Sequence, residues 1–316
     1  MDIFIGNTGC VSKKLFFIGL ILAASGLVSP PVALVGGIVY GFSFVHPFHL
    51  AAKQLSKFLL QASVVGLGFG MDLAQVLRVG RSGFIYTAAS ISFAILLGWG
   101  LGKLLDVKKR ISFLISAGTA ICGGSAIAAI APITNASEEE IAVSLGTVFV
   151  LNSVALLAFP AIGSALHMTQ TQFGLWSALA IHDTSSVVGA TAKFGAVALA
   201  VGTTVKLARA LWIVPMSIGT SLVNRSKARI QWPWFILLFC LAAVANTYIG
   251  LFQPVYPTLK HLGVIGLTVT LFLIGTGLSK ETLRAVGVRP LLQGIILWIV
   301  VAAGSLALIR GGWIHL

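Results

Sequence analysis

The chain has 316 residues, 57% of them hydrophobic and only 9% charged. So few charges cannot cover the outside of a water-soluble protein of this length, which excludes a soluble globular fold. The net charge of +13 does not point to nucleic acid, because the basic residues fall at the ends of apolar runs and not on one patch.

Eleven apolar segments follow one another near 15–29, 32–45, 58–71, 83–102, 111–132, 141–166, 175–203, 207–223, 232–252, 262–278 and 291–309. Runs of this length and composition predict an all-α polytopic membrane protein, with one transmembrane domain over residues 1–316. The first run follows Lys13 and Lys14 but no small-residue cleavage site follows it. It reads as a retained helix and not a signal peptide. Pro30-Pro31 makes the tight turn into the second segment, and residues 46–57 read as an amphipathic connector. Asp72 falls at a helix end near Arg78 and reads as interfacial.

The fifth segment carries Gly123-Gly124 in mid-span and Pro132 at its end. Glycine weakens a helix interior, so the pair predicts an interruption, although in membranes it also serves close packing. Glu138-Glu139-Glu140 opens the sixth segment, with Asn135 or Ser137 as the cap. The seventh places His182, Asp183 and Lys193 inside an apolar run from Gly174 to Val205. An aspartate or lysine at the centre of a membrane helix costs roughly 2.5–3.5 kcal/mol on insertion scales, so such residues read as facing a cavity or a partner. In a helix, His182, Ser186, Gly189 and Lys193 share one face. The bland alternative is a structural hydrogen-bond knot. The tenth segment carries Gly275-Thr276-Gly277, a second candidate interruption.

Lys and Arg set the orientation. With the N-terminus inside, fourteen fall on the cytoplasmic side and six outside, Lys206 and Arg209 among the six, with Lys193 left within the membrane. That count predicts a cytoplasmic N-terminus, a C-terminus on the far side and an odd number of spans. It also puts the three glutamates outside. The seven tryptophans read as interfacial or lipid-facing, with Trp232 and Trp234 at the cytoplasmic edge of segment nine.

Interrupted helices at matching places in two oppositely oriented halves point to an inverted-repeat transporter. Segments five and ten lie an odd number of spans apart, which gives repeats near 32–166 and 175–309 after an extra first helix. A second register competes. Gly68-Phe-Gly70 and Val79-Gly80 recur as Gly275-Thr-Gly277 and Val286-Gly287, pairing segments three and four with ten and eleven.

An anion needs donors and positive potential in a dry place. A helix broken at Gly123-Gly124 offers free N–H groups and the positive end of its second half. Thr119 and Ser125 add hydroxyls, and Thr276 and Ser279 do the same from the tenth segment. Lys193 offers a full charge, or pairs with Asp183. An unperturbed imidazole exchanges a proton across physiological pH, so His182, with Asp183, is the candidate for proton coupling. Thr184, Ser185 and Ser186 bind the solute or bond back to their own helix. Cys122 sits in the same stretch as a small packing residue. Asn152, Ser153 and Asn246 read as interhelical hydrogen bonds. Cys10, Cys122 and Cys240 are too scattered for a disulfide framework or a zinc site, and no cofactor is implied.

Two long motifs carry a resemblance over nearly the whole chain. Gly118-Thr-Ala-Ile-Cys-Gly-Gly-Ser-Ala-Ile-Ala-Ala-Ile-Ala-Pro132 and Gly174-Leu-Trp-Ser-Ala-Leu-Ala-Ile-His-Asp-Thr-Ser-Ser-Val-Val-Gly-Ala190 resemble the signature of a family of bacterial inner-membrane proteins named sulfate exporters. The Glu138-Glu-Glu140 turn, Val205-Lys-Leu-Ala-Arg209 and Trp232-Pro-Trp-Phe235 are similar too. Gly124 departs from a more usual alanine, and Ser186 from a common glutamine. The resemblance implies the fold of sodium/proton antiporters and bile-acid symporters, with two inverted five-helix repeats and crossed, discontinuous helices. It implies export of sulfate, a related sulfur oxyanion or a small organic anion. No GxxxxGK[ST] is present, so the energy comes from an ion gradient, H+ or Na+. The alternatives are an anion channel, for which no filter sequence is present, and an intramembrane enzyme. Adjacent His182-Asp183-Thr184-Ser185 point about 100° apart on a helix and make no triad, so an enzyme is not expected. The expected partners are the anion, the coupling ion and the lipid bilayer. The oligomeric state is left open, a homodimer included.

Overall fold

The computed structural model describes residues 2–44, 47–71, 73–224, 234–277 and 287–314. Fourteen α-helices and no strand occur among them. In chain order these are α1 Asp2–Ala24, α2 Pro30–Ser43, α3 His49–Gly68, α4 Leu73–Leu104, α5 Lys109–Ala120, α6 Gly124–Ile130 and α7 Glu138–Ala165. There follow α8 Gln170–Ala180, α9 Thr184–Phe194, α10 Ala196–Ala210, α11 Ile213–Asn224, α12 Trp234–Tyr248, α13 Tyr256–Thr276 and α14 Val288–Arg310. Among the described residues, five stretches are long and apolar enough to cross a membrane: Tyr86–Leu104, Glu139–Ala165, Ala196–Asn224, Tyr256–Thr276 and Val288–Arg310. Val32–Ser43 and Trp234–Tyr248 are shorter apolar helices. The chain is therefore an all-helical, polytopic membrane protein.

The helices form two compact units, each made of two stretches of chain. One unit spans Met1–Leu73 and Trp234–Lys280, so it holds α1–α3, α12 and α13. Glycines let its backbones touch, as small residues do where helices pack in lipid. Gly66 of α3 faces Gly263 of α13 backbone to backbone. Gly68 of α3 lies against the Phe239 carbonyl of α12, and Gly275 of α13 lies against the Leu34 carbonyl of α2. Phe16, Tyr40 and Phe272 belong to one hydrophobic cluster that joins α1, α2 and α13. Asn246 Nδ2 donates to the Met71 carbonyl at 3.1 Å, so its bond runs from α12 to the turn after α3 and not to a second helix.

This packing corrects the reading of the tenth segment. α13 runs unbroken to Thr276 and ends at Gly277, so there is no mid-span interruption. Gly275 is a contact surface and not a kink. Ser279, like Asp72 and Trp232, lies outside the described residues.

The other unit spans Ala74–Pro233 and Glu281–Leu316. Its frame is α7, 28 residues and about 42 Å long at 1.5 Å per residue. Ser137 and Glu140 start it with a complete capping box, in which each side chain accepts from the other's backbone N–H. At this end Arg110 of α5 approaches Glu140 to 3.9 Å, and Val107, Ile111 and Ile115 cluster with Val143. The starts of α5 and α7 therefore lie together. The glutamates are on the side of Arg110, not across the membrane from it as the count of spans required.

The reason is that α6 does not continue α5. It folds back. Gly118 packs against Ile127, and Leu114, Ala117, Ile127, Ile130 and Ala131 share one cluster with Val148. The segment read as span five is a helical hairpin with its tip at 121–123. The seventh segment does the same from the other end of α7. Phe194 at the end of α9 stacks on Phe173 of α8 with ring centroids 3.8 Å apart, and Gly163 of α7 packs against both rings. Gln170 Oε1 accepts from the N–H of Val197 at 3.0 Å. Chain entry and exit thus coincide, and the tip is at 181–183. The expected crossing of two discontinuous helices is replaced by two hairpins that enter from opposite ends of α7.

α10 packs along both arms of the second hairpin, with Gly202 against Thr191 and the Gly174 carbonyl, and continues through α11. The expected boundary between residues 203 and 207 does not exist, since Ala196–Asn224 is one apolar stretch. Trp176, expected toward lipid, is 3% exposed. It stacks on Phe159 at 4.1 Å and donates Nε1–H to the Ala302 carbonyl of α14 at 2.9 Å.

Candidate functional site

The two hairpin tips meet beside the middle of α7. Gly123 holds φ +62° and ψ −126°, a conformation that only glycine adopts without strain. The turn brings it against Asp183: a Cβ built on Gly123 would lie 3.2 Å from the Asp183 Cβ and 3.3 Å from Val148 Cγ1. Asn152, one turn further along α7, accepts the His182 N–H on Oδ1 at 3.0 Å. The sequence motifs 118–132 and 174–190 therefore converge on one point, although they are separated by the whole of α7.

Asp183 is the N-cap of α9. Its Oδ1 accepts the Ser186 N–H at 2.7 Å, and the side chains of Ser185 and Ser186 face the same carboxylate. A carboxylate at this position satisfies an orphan donor and complements the helix dipole. His182 is 1% exposed, and neither ring nitrogen has a hydrogen-bond partner among the described residues. The Val148 carbonyl faces the ring outside hydrogen-bond geometry. The Asp183 carboxylate caps its own helix, and the His182 ring bonds neither to it nor to Ser185, so the three do not form a relay.

The carbonyl ends of the two entering arms are capped by cations. Lys206 and Arg209 of α10 are both 0% exposed. Arg209 Nε donates to the Ala120 carbonyl at 2.5 Å and Nη2 to Thr119 at 3.0 Å, both at the end of α5. Its Nη1 donates to Leu179 at 2.5 Å and to Ala178 at 3.2 Å, at the end of α8. Lys206 Nζ donates to Ile181 at 2.6 Å and to Ala178 at 3.4 Å. The last carbonyls of a helix have no partner within it and carry the negative end of its dipole. One guanidinium thus ties both arms together. The Ala117 and Gly118 carbonyls take backbone N–H groups of the turn instead.

The Lys and Arg count predicts these two charges outside the membrane; the structure buries them near the centre of the 196–224 stretch. The available signal was their spacing. Lys206 and Arg209 are three apart, hence on one helix face, with apolar residues on both sides. Lys193 moves the other way. It is exposed in the last turn of α9, ten residues or about 15 Å from Asp183, so it neither lines the site nor pairs with that carboxylate. Ser125 is exposed as well. Gly275, Thr276 and Gly277 belong to the other unit, where Thr276 Oγ1 donates back to the Leu273 carbonyl at 2.8 Å.

Several buried polar atoms around the tips have no partner among the described residues: Thr119 Oγ1, Asn152 Nδ2, Ser177 Oγ, Thr203 Oγ1 and both His182 nitrogens. Leaving such groups unpaired costs about 1–3 kcal/mol each. Cys122 is buried in the same turn and forms no disulfide. No group of three or more His, Cys, Asp and Glu able to hold a metal occurs among the described residues.

A family model described as conserved hypothetical protein 698 matches residues 10–294. UPF0324 membrane proteins are similar along nearly their whole length. One from Bdellovibrio bacteriovorus is 50% identical over 98% of this chain and 97% of its own. One from Bacteroides thetaiotaomicron is 50% identical over 91% and 88%, and one from Porphyromonas gingivalis 52% over 89% and 87%. No solved structure matches.

Proposed function

We propose that this chain, which belongs to the conserved hypothetical protein 698 family of bacterial membrane proteins, is a secondary transporter that carries a small anion across the inner membrane. The observation that carries the reading is the meeting of two opposed hairpin tips at mid-span, next to two buried cations and a set of buried polar groups without partners. Non-helical backbone at membrane depth is tolerated where it is enclosed by protein or lines a cavity, and broken helices that supply ends to an ion are a transporter device. The solute would take donors from Thr119, Asn152 and His182 and the field of Lys206 and Arg209. Sulfate, sulfite and small carboxylates are the candidate substrates, and export is the proposed direction.

Inverted repeats fit this reading in the register that pairs segment three with ten. Gly68 meets a carbonyl of α12 as Gly275 meets one of α2. We match α2, α3, α4, the α5–α6 hairpin and α7 with α12, α13, α14, the α8–α9 hairpin and α10–α11. The second set is circularly permuted in the sequence. Alternating access would expose the tips to one side and then the other. The bias of Lys and Arg supports a cytoplasmic N-terminus.

The test is flux into proteoliposomes of labelled sulfate, sulfite and small organic anions, with and without a pH gradient. Saturable flux of one anion is expected, lowered at least tenfold by Asn152→Leu and His182→Phe. No flux of any of them under either condition would end the transporter reading. Unitary currents of channel size would replace it with a pore.

A further inference from the structure

Five carbonyl oxygens converge at the ends of α5 and α8, from Thr119, Ala120, Ala178, Leu179 and Ile181, and all five accept from Lys206 or Arg209. Helix carbonyl ends exposed by a break are the oxygen set that coordinates a coupling sodium ion in transporters with broken helices. Here the oxygens belong to two hairpin arms, sit at mid-span and face groups that are 0% exposed. They are already taken by basic side chains of the chain itself.

We propose that Lys206 and Arg209 stand where a coupling cation would bind, so that this protein moves its anion without sodium. Arg209 spans both arms through four contacts and is the mechanical tie. Lys206 touches only the α8 arm and has three N–H groups for two carbonyls. It is the group whose removal would leave a cation-sized gap among the Ala178 and Ile181 oxygens. The inference rests on the transporter reading for its meaning, but its test reads ion binding and not flux alone.

Purified wild type and Lys206→Ser would be compared by thermal unfolding in sodium, potassium and N-methylglucamine salts of one anion. Ligand binding to the folded state raises the midpoint with concentration. The wild-type midpoint is expected to be the same in all three salts. Lys206→Ser is expected to gain a saturable, sodium-selective rise, because its vacated oxygens can now take the ion. A sodium-selective rise in wild type would overturn the proposal, and so would a folded Lys206→Ser that ignores sodium. Should Lys206→Ser not fold, Lys206→Arg and wild type decide, since both keep a fixed cation and both should be indifferent to sodium. Sodium-selective stabilisation of either refutes it. Wild-type flux must also persist when N-methylglucamine replaces sodium. Absence of flux in every salt, with the thermal pattern intact, would sink the transporter reading and leave the cation assignment standing.

Discussion

Gly123→Ala tests the meeting of the hairpin tips most directly. The residue holds φ +62° and ψ −126°, and a non-glycine residue in such a region costs about 1–3 kcal/mol. The added methyl would sit 3.2 Å from the Asp183 Cβ and 3.3 Å from Val148 Cγ1, so both neighbours must also give way by a few tenths of an ångström. A total of about 2–4 kcal/mol follows, a change of roughly thirtyfold to a thousandfold in the unfolding equilibrium. Unfolding by sodium dodecyl sulfate in mixed micelles, followed by tryptophan fluorescence, would measure it. The matched control is Gly219→Ala in α11, where nothing lies within 4 Å of the new Cβ and a helix interior gains up to about 1 kcal/mol. A Gly123→Ala protein within about 0.5 kcal/mol of wild type would refute the tip geometry, because an ordinary helical glycine tolerates alanine.

Other substitutions probe the remaining contacts. Arg209→Met removes four hydrogen bonds and leaves the Thr119, Ala120 and Leu179 carbonyls without a side-chain donor, and should cost about 3–5 kcal/mol in the same titration; a loss under about 1 kcal/mol would show that the guanidinium does not tie the arms. Arg209→Lys should recover less than half of that, since one ammonium cannot replace a fork that reaches two helix ends. Single cysteines at Arg110 and Glu139, in a protein lacking Cys10, Cys122 and Cys240, should react with a membrane-impermeant maleimide from the same side of the membrane, and Thr169 and Lys193 from the other. Labelling of positions 110 and 139 from opposite sides would mean that α5 and α6 cross. Gly275→Val should destabilise by about 2–4 kcal/mol by driving its side chain into the Leu34 carbonyl and Ile38 backbone; a change in anion response with normal stability would instead return Gly275 to a solute site. Arg110→Ala should shift stability by no more than about 0.5 kcal/mol, because the pair with Glu140 is long and Arg110 is 54% exposed.

Residues that are expensive in lipid led to the site. The His182-Asp183 pair stands out for its cost in lipid and Gly123 for weakening a helix interior, and both mark hairpin tips. What hydropathy could not tell was whether the chain beyond each tip goes on or turns back. Ala126, Ile127 and Ile130 are as apolar in a returning arm as in a continuing one. The count of Lys and Arg was equally blind. A hairpin removes one crossing, and two hairpins remove two, so an odd total stays odd and the bias toward one side survives. The glutamates carried the discrepancy, because they lie between the two tips, where the parity is reversed. Their pairing with Arg110 exposes it.

The errors over Lys206, Arg209 and Lys193 share one cause. A window average treats any cation as the end of a span, so Lys206 and Arg209 were cut away from the helix that buries them. A stripe argument treats one helix face as one environment, so Lys193 was drawn into the site. Burial of a charge is decided by partners and not by the neighbours in the sequence. Lys206 and Arg209 meet carbonyls of helix ends that exist only because α5 and α8 stop at mid-span. Those ends come from positions 25 to 90 residues away in the chain. Each break supplies acceptors that nothing within its own helix can satisfy, and the α10 cations would be too costly without them. Hairpins and cations therefore account for each other, and a reading that finds one has grounds to look for the other.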